Sequence, residues 1–236
     1  MKTNQFLLLS AFAILGLSAC DPLGVRGHGD LSTETRDVKD FHALEVNVSG
    51  DVEVRVDSVF HVEVTCEDNI IDFLETVEDH GVLKIFFDRN VFDVDHLKIR
   101  VSAPSWDAFE VNGSADVDVP DAITGDFLNL GISGSGNIKL FDASFNKAKT
   151  RISGSGDITL IGEADDLNAT TSGSGDLEAL DFPVKTATVT VSGSGDARVN
   201  VSDMLNVSIS GSGDVQYTGN PQVSKSVSGS GSVKKI

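Results

Sequence analysis

The chain has 236 residues, with 18 Lys and Arg against 36 Asp and Glu, for a formal net charge of -18. Nucleic-acid binding draws its affinity from Lys and Arg displacing counterions, so a chain this acidic argues against nucleic acid as a partner. A hydrophobic fraction of 40% argues against disorder, and 13 Phe beside one Tyr and one Trp leave few amphipathic rings for a sugar-stacking cleft.

Residues 1–19 are predicted to be a lipoprotein signal peptide. Lys2 supplies the positive start, and Phe6 to Leu17 form an apolar run too short to span a bilayer. The end, Leu17-Ser18-Ala19-Cys20, resembles the bacterial lipobox. That resemblance implies cleavage before Cys20 and diacylation of its thiol; an ordinary secretory peptide cut after a small residue is the alternative. Two acyl chains make a stable anchor where one does not, so the membrane is the first expected partner. The expected localisation is the bacterial cell envelope, at the outer membrane, with the surface or periplasmic side left open; Asp21 after Cys20 keeps inner-membrane retention as the alternative.

With Cys20 lipidated, Cys66 has no partner for a disulfide. Its parity matches Val62 and Val64, so a buried, inert thiol is expected. Residues 20–40 carry Pro22, Gly24, Gly27 and Gly29 without periodicity, and read as the lipidated Cys followed by a flexible tether.

Residues 41–110 read as an irregular N-terminal β portion. Leu44, Val46 and Val48 precede a shortened corner, Ser49-Gly50-Asp51, and Val52, Val54 and Val56 follow it. Strand-like runs follow at 62–65, 82–87 and 97–101, with a short helix expected within 68–75.

Residues 111–236 are organised by a repeat. Ser-Gly-Ser-Gly begins at Ser133, Ser153, Ser172, Ser192, Ser210 and Ser228, at intervals of 20, 19, 20, 18 and 18 residues. Apolar residues alternate on both sides of each copy, as in Leu128, Leu130 and Ile132 before Ser133 and Ile138 and Leu140 after it. Each unit is therefore strand, glycine-rich corner, strand and looser return. One unit cannot bury its apolar side alone, but a stack can. The fold class is all-β: a single-stranded β-helix, or β-solenoid, with coils of about 18–21 residues. The corner glycines are expected to supply positive φ.

The chain as a whole also resembles a known family. The residues that carry the likeness are Thr35-Arg36-Asp37 leading to Phe41, Leu44-Glu45-Val46, Gly50-Asp51-Val52-Glu53-Val54, Leu83-Lys84-Ile85, the recurrent Ser-Gly-Ser-Gly-Asp, and Tyr217-x-Gly219-Asn220-Pro221. These resemble the putative auto-transporter adhesin, head GIN domain family. The resemblance implies an all-β coil of strands and an exported bacterial protein of adhesin type. It brings no catalytic residues.

Two columns of the stack carry candidate chemistry. The position after each corner is Asp116, Asn137, Asp157, Asp176, Asp196 and Asp214, then Ser232. Carboxylates about 4.8 Å apart repel by roughly 1 kcal/mol even in water, so something must favour Asp there. Either each caps backbone amides, or the column holds cations, for which Ca²⁺ is the candidate. The outward positions before the corners include Lys149 and Arg151, Asn168 and Thr170, Thr188 and Thr190, and Asn206 and Ser208. This ladder is either a solvated sheet face or a flat surface for a glycan, an envelope or extracellular protein, or ice.

Catalysis is not expected. A polysaccharide-active β-helix enzyme would need clustered acids or a basic residue in a cleft, whereas His28, His42, His61, His80 and His96 show no metal-ligand spacing. The alternatives kept beside an adhesin-like or structural envelope protein are that enzyme and a calcium-stabilised surface module. Lys225, Lys234 and Lys235 in the last coil read as charges guarding its open edge.

Overall fold

The computed structural model describes residues 24–236. The lipobox and Cys20 lie outside the described residues. The N-terminal part contains β1 (Val25–Arg26), β2 (Leu31–Arg36), β3 (Ala43–Val46), β4 (Asp51–Val56), β5 (His61–Glu67), a 3-10 turn at Ile71–Phe73, β6 (Leu74–Asp79), β7 (Val82–Phe87), β8 (Val91–Phe92) and β9 (Lys98–Ala103). The repeats form β10 (Ala108–Val111), β11 (Asp116–Val119), β12 (Ile123–Ile132), β13 (Ile138–Ile152), β14 (Ile158–Thr171), β15 (Leu177–Val191), β16 (Ala197–Gly211), β17 (Val215–Thr218), β18 (Gln222–Gly229) and β19 (Val233–Lys235).

From β10 onward the strands stack in parallel, one coil on the next, and form the expected β-solenoid. The alternating residues fall into inward columns. One runs through Val46, Val111, Ile132, Ile152, Thr171, Val191, Ile209 and Val227, and all but the last are buried. Thr171 is the one hydroxyl residue of this column, with the apolar Ile152 and Val191 on either side of it.

The returns are more regular than the sequence suggests. β13 is one strand of 15 residues from corner to corner, as are β15 and β16. Fifteen extended residues would reach roughly 50 Å, so each strand must bend within its coil. Register irregularities between Leu140 and Ala143, between Thr159 and Ala164 and between Ala179 and Pro183 mark the bends.

The corner glycines serve a purpose other than the expected one. Among the glycines of the six Ser-Gly-Ser-Gly corners only Gly229 has a positive φ, 134°. At Gly154 an added Cβ would instead run into the carbonyl oxygen of Gly134 in the preceding coil. That carbonyl accepts the Ser155 amide at 2.9 Å, so the corner backbones stack as closely as paired strands. Glycine is needed for this approach between coils, which leaves no room for a side chain.

The N-terminal part departs from chain order. β3 lies between β7 and β10, and β4 between β9 and β11, all in parallel register. The rung made of β7 and β9 therefore sits outside the earlier rung of β3 and β4. β6 and β5 then pair antiparallel on β7 and β9, and β2 pairs antiparallel on β5. The tether expectation is corrected here: residues 31–36 are an edge strand rather than flexible chain. Its inward side is polar, which hid it from a search for apolar alternation. Glu34 and Arg36 stand behind Val64 and Val62, joined at 2.7 Å, and Arg36 also donates to the Ile71 carbonyl at 2.9 Å. The expected helix within 68–75 is only the single 3-10 turn, after which the chain enters β6.

Inside this portion Phe41, Phe60, Trp106 and Phe109 pack ring against ring, with neighbouring centroids 5.0 to 5.6 Å apart. The Trp106 indole donates to the Arg55 carbonyl at 2.9 Å, which satisfies its buried N–H. Cys66 is fully buried. Burial, followed by the Glu67 charge, pushes its thiol up to about 11, so it stays protonated and inert at neutral pH.

Candidate functional site

The outward ladder is in register. Lys149 and Arg151 stand beside Asn168 and Thr170, these beside Thr188 and Thr190, and these beside Asn206 and Ser208. All eight side chains are exposed or half-buried. They project because the alternate positions, Ala148 through Ile152 and their equivalents, point inward.

The structure adds a third outward column that sequence reasoning missed. Phe127, Lys147, Asp166, Thr186 and Met204 stand in register along the edge of the same face. Phe127 and Met204 are 49% and 46% exposed. Together with Lys149, Asn168 and Thr188, part of this column lines a shallow hollow of about 320 Å³. The signal was present at Lys147, which continues the alternation of Lys149 and Arg151 one step back. One coil thus carries three cationic residues in a row, Lys147, Lys149 and Arg151, on a strongly acidic molecule.

Next to this row lies Glu110, whose carboxylate fills the space above Gly131. Burial and then the Glu45 charge raise its pKa, and Arg151 opposes them. The basic row therefore borders an acidic pair at the N-terminal side of the face.

The corner column is also in place. The Asp157, Asp176, Asp196 and Asp214 side chains each accept the backbone amide of the equivalent residue in the next coil at 2.7 Å. Asp116 does the same for Asn137 at 3.1 Å, and Asn137 for Asp157 at 2.9 Å. A carboxylate at this position meets an N–H dipole from the coil beyond it. This attraction opposes the repulsion between neighbouring rungs. The sequence reading missed the first member: Asp51 pairs in register with Asp116, behind the shortened corner.

A larger hollow, about 600 Å³, lies on the return side and includes Ser144, Glu163, Lys185 and Asn200 in its lining. Its one lysine is already paired with Asp165 at 2.7 Å. Among the described residues no helix is long and apolar enough to cross a membrane.

A parallel β-solenoid with a flat, in-register polar face and shallow hollows is a scaffold that presents a surface. The chain belongs to the putative auto-transporter adhesin, head GIN domain family, whose model matches residues 40–221. Among solved structures it is similar to a putative adhesin from Bacteroides fragilis, at 23% identity over 90% of this chain and 100% of that one, with a TM-score of 0.84. It is also similar to a putative lipid binding protein from Parabacteroides distasonis, at 24% identity over 90% and 99% of the two chains, with a TM-score of 0.75. A putative adhesin from Parabacteroides merdae matches at 22% identity over 90% and 98%, with a TM-score of 0.72. No curated protein matches the chain.

Proposed function

We propose that this is an exported, lipid-anchored envelope protein of adhesin type, and that the ladder face is its binding surface. Membership of an adhesin-type family supports a surface or envelope role. The observation that carries the binding face is the row Lys147, Lys149 and Arg151, set in an ordered array of Asn, Thr and Ser and flanked by the exposed Phe127. Alternate residues of one strand are roughly 6.6 Å apart, so three cations along a coil match a polymer with repeated acidic groups. The neighbouring hydroxyl and amide groups offer donors and acceptors to sugar hydroxyls. The preferred ligand is therefore an extended acidic glycan of the envelope or of a host surface. In this reading anchoring rests on Cys20 and its lipobox, and the proposed destination is the outer membrane.

Glycan-array binding of the wild-type chain and of a Lys147→Glu, Lys149→Glu, Arg151→Glu variant tests the reading. Selective binding of acidic glycans by the wild type, lost in the variant at unchanged Tm, is the expected result. Equal binding by both, or binding of neutral glycans alone, would rule it out. Metabolic labelling with a fatty acid tests the anchor: label should enter the wild type and be absent from Cys20→Ala.

A further inference from the structure

Glu67 ends β5 at the N-terminal part of the stack. It is only 4% exposed, and its Oε2 is buried with no hydrogen-bond partner. Its Oε1 accepts the Asp95 amide at 3.0 Å, and His96 Nδ1 lies 3.5 Å from the same oxygen. Donor atoms of Glu67, Asp95 and His96 all lie within 4.8 Å of one another. The segment carrying Asp95 and His96 is fixed at both ends. On one side β8 pairs with β1, and on the other Leu97 is buried and its carbonyl accepts the Asp51 amide at 3.0 Å.

We propose that Glu67, Asp95 and His96 form a binding site for a divalent transition-metal ion of the zinc class. A buried carboxylate with an unpartnered oxygen is costly, and a cation bound to Glu67 would offset that cost. The donor set selects the metal. Two carboxylates and one imidazole suit Zn²⁺ and its first-row neighbours, whereas Ca²⁺ and Mg²⁺ take all-oxygen shells. At tetrahedral Zn²⁺, bonds near 2.0–2.2 Å put neighbouring donors about 3.3 Å apart, close to the spacing of Glu67 Oε1 and His96 Nδ1. The Asp95 and His96 side chains are exposed and free to complete the shell, with water in the fourth position. Bound metal would clip the 93–97 connection onto the end of β5, bracing the part of the stack from which the coils grow.

The test uses the full-length chain in detergent, without a histidine tag, titrated with ZnCl₂ by calorimetry and followed by Tm. One Zn²⁺ per chain, with micromolar or tighter affinity and a Tm that rises with concentration, is expected. Asp95→Asn and His96→Ala should each weaken binding at least about tenfold at unchanged metal-free Tm, because both side chains are exposed. His42→Ala, which removes a histidine paired with Asp107 elsewhere, should leave binding intact. Co²⁺ should give the visible bands of a tetrahedral nitrogen and oxygen site. Absence of saturable Zn²⁺ binding, undiminished binding in His96→Ala, equal loss in His42→Ala, or displacement by millimolar Ca²⁺ would each overturn the proposal.

Discussion

The Glu110 carboxylate occupies the volume that a side chain at Gly131 would need, one coil further along the stack. Burial there and the nearby Glu45 raise the pKa of Glu110. A carboxyl whose folded pKa lies above its unfolded value binds more protons in the native state. Its ionisation therefore lowers stability as pH rises through the interval between the two values. Glu110→Gln is expected to raise Tm at pH 7, with the gain vanishing below the ordinary glutamate range. Thermal melts of both chains between pH 3 and 8 check this; a gain of the same size at all pH values would contradict it.

The Asp176 side chain accepts the Asp196 amide at 2.7 Å and belongs to a column in which one member, Asn137, is naturally neutral. Asn137 still offers an oxygen to the next amide. Asp176→Asn should therefore be milder than Asp176→Ala, which strands the Asp196 amide at a cost of about 0.5–1.5 kcal/mol. Urea melts of the two variants decide the order. If amide capping is what favours Asp at these corners, millimolar Ca²⁺ added to the metal-free chain leaves its Tm unchanged. A Ca²⁺-induced rise that Asp176→Asn diminishes would instead assign the column to Ca²⁺.

Gly154 has no room for a methyl group against the Gly134 carbonyl, although its φ is an ordinary negative one. Gly154→Ala should cost about 1–3 kcal/mol by forcing two coils apart. Urea denaturation of Gly154→Ala beside the wild type checks this, and an unchanged midpoint would show that the coils can part at no cost.

Lys225 stands in an inward column, in register with Val207, on β18, which pairs with β16 along one edge. A charge at an inward position makes that edge a poor template for another strand. Lys225→Val, combined with Lys234→Thr, is expected to produce dimers and larger species by size exclusion with light scattering. A variant that stayed monomeric at high concentration would show that these lysines do not guard the edge.

The regular coils were legible because two signals repeat in phase there: alternation such as Val189 and Val191, and a corner every 18 to 20 residues. Each column then follows from parity alone. The N-terminal part resisted for physical reasons. β2 turns Ser32, Glu34 and Arg36 inward, so it has no apolar alternation to find. The placement of β3 between β7 and β10 is a long-range fact that no local pattern records. Glycine enrichment at corners was visible, but its cause was not. The same residue type answers a positive φ and a close backbone approach, and only neighbouring coils tell them apart. Of the candidate face, the two inner columns could be read, whereas the third, from Phe127 to Met204, keeps the same parity one step earlier but mixes aromatic, charged, hydroxyl and thioether side chains, so no shared residue type marks it. Asp95 meets Glu67 at a separation of 28 residues, with His96 beside it, a partnership that spacing along the chain could not reveal.

The interleaving of β3 with later strands gives the molecule a direction of assembly. The first rung has both neighbours only after β11, which ends at Val119, has joined, whereas every later coil is laid on an edge that already exists. A chain that crosses a membrane unfolded would thus build a foundation first and then add storeys in the order they arrive. Removal of whole coils from the C-terminus should leave a shorter tower standing, while deletion within 82–103 should remove the ground on which all of it rests.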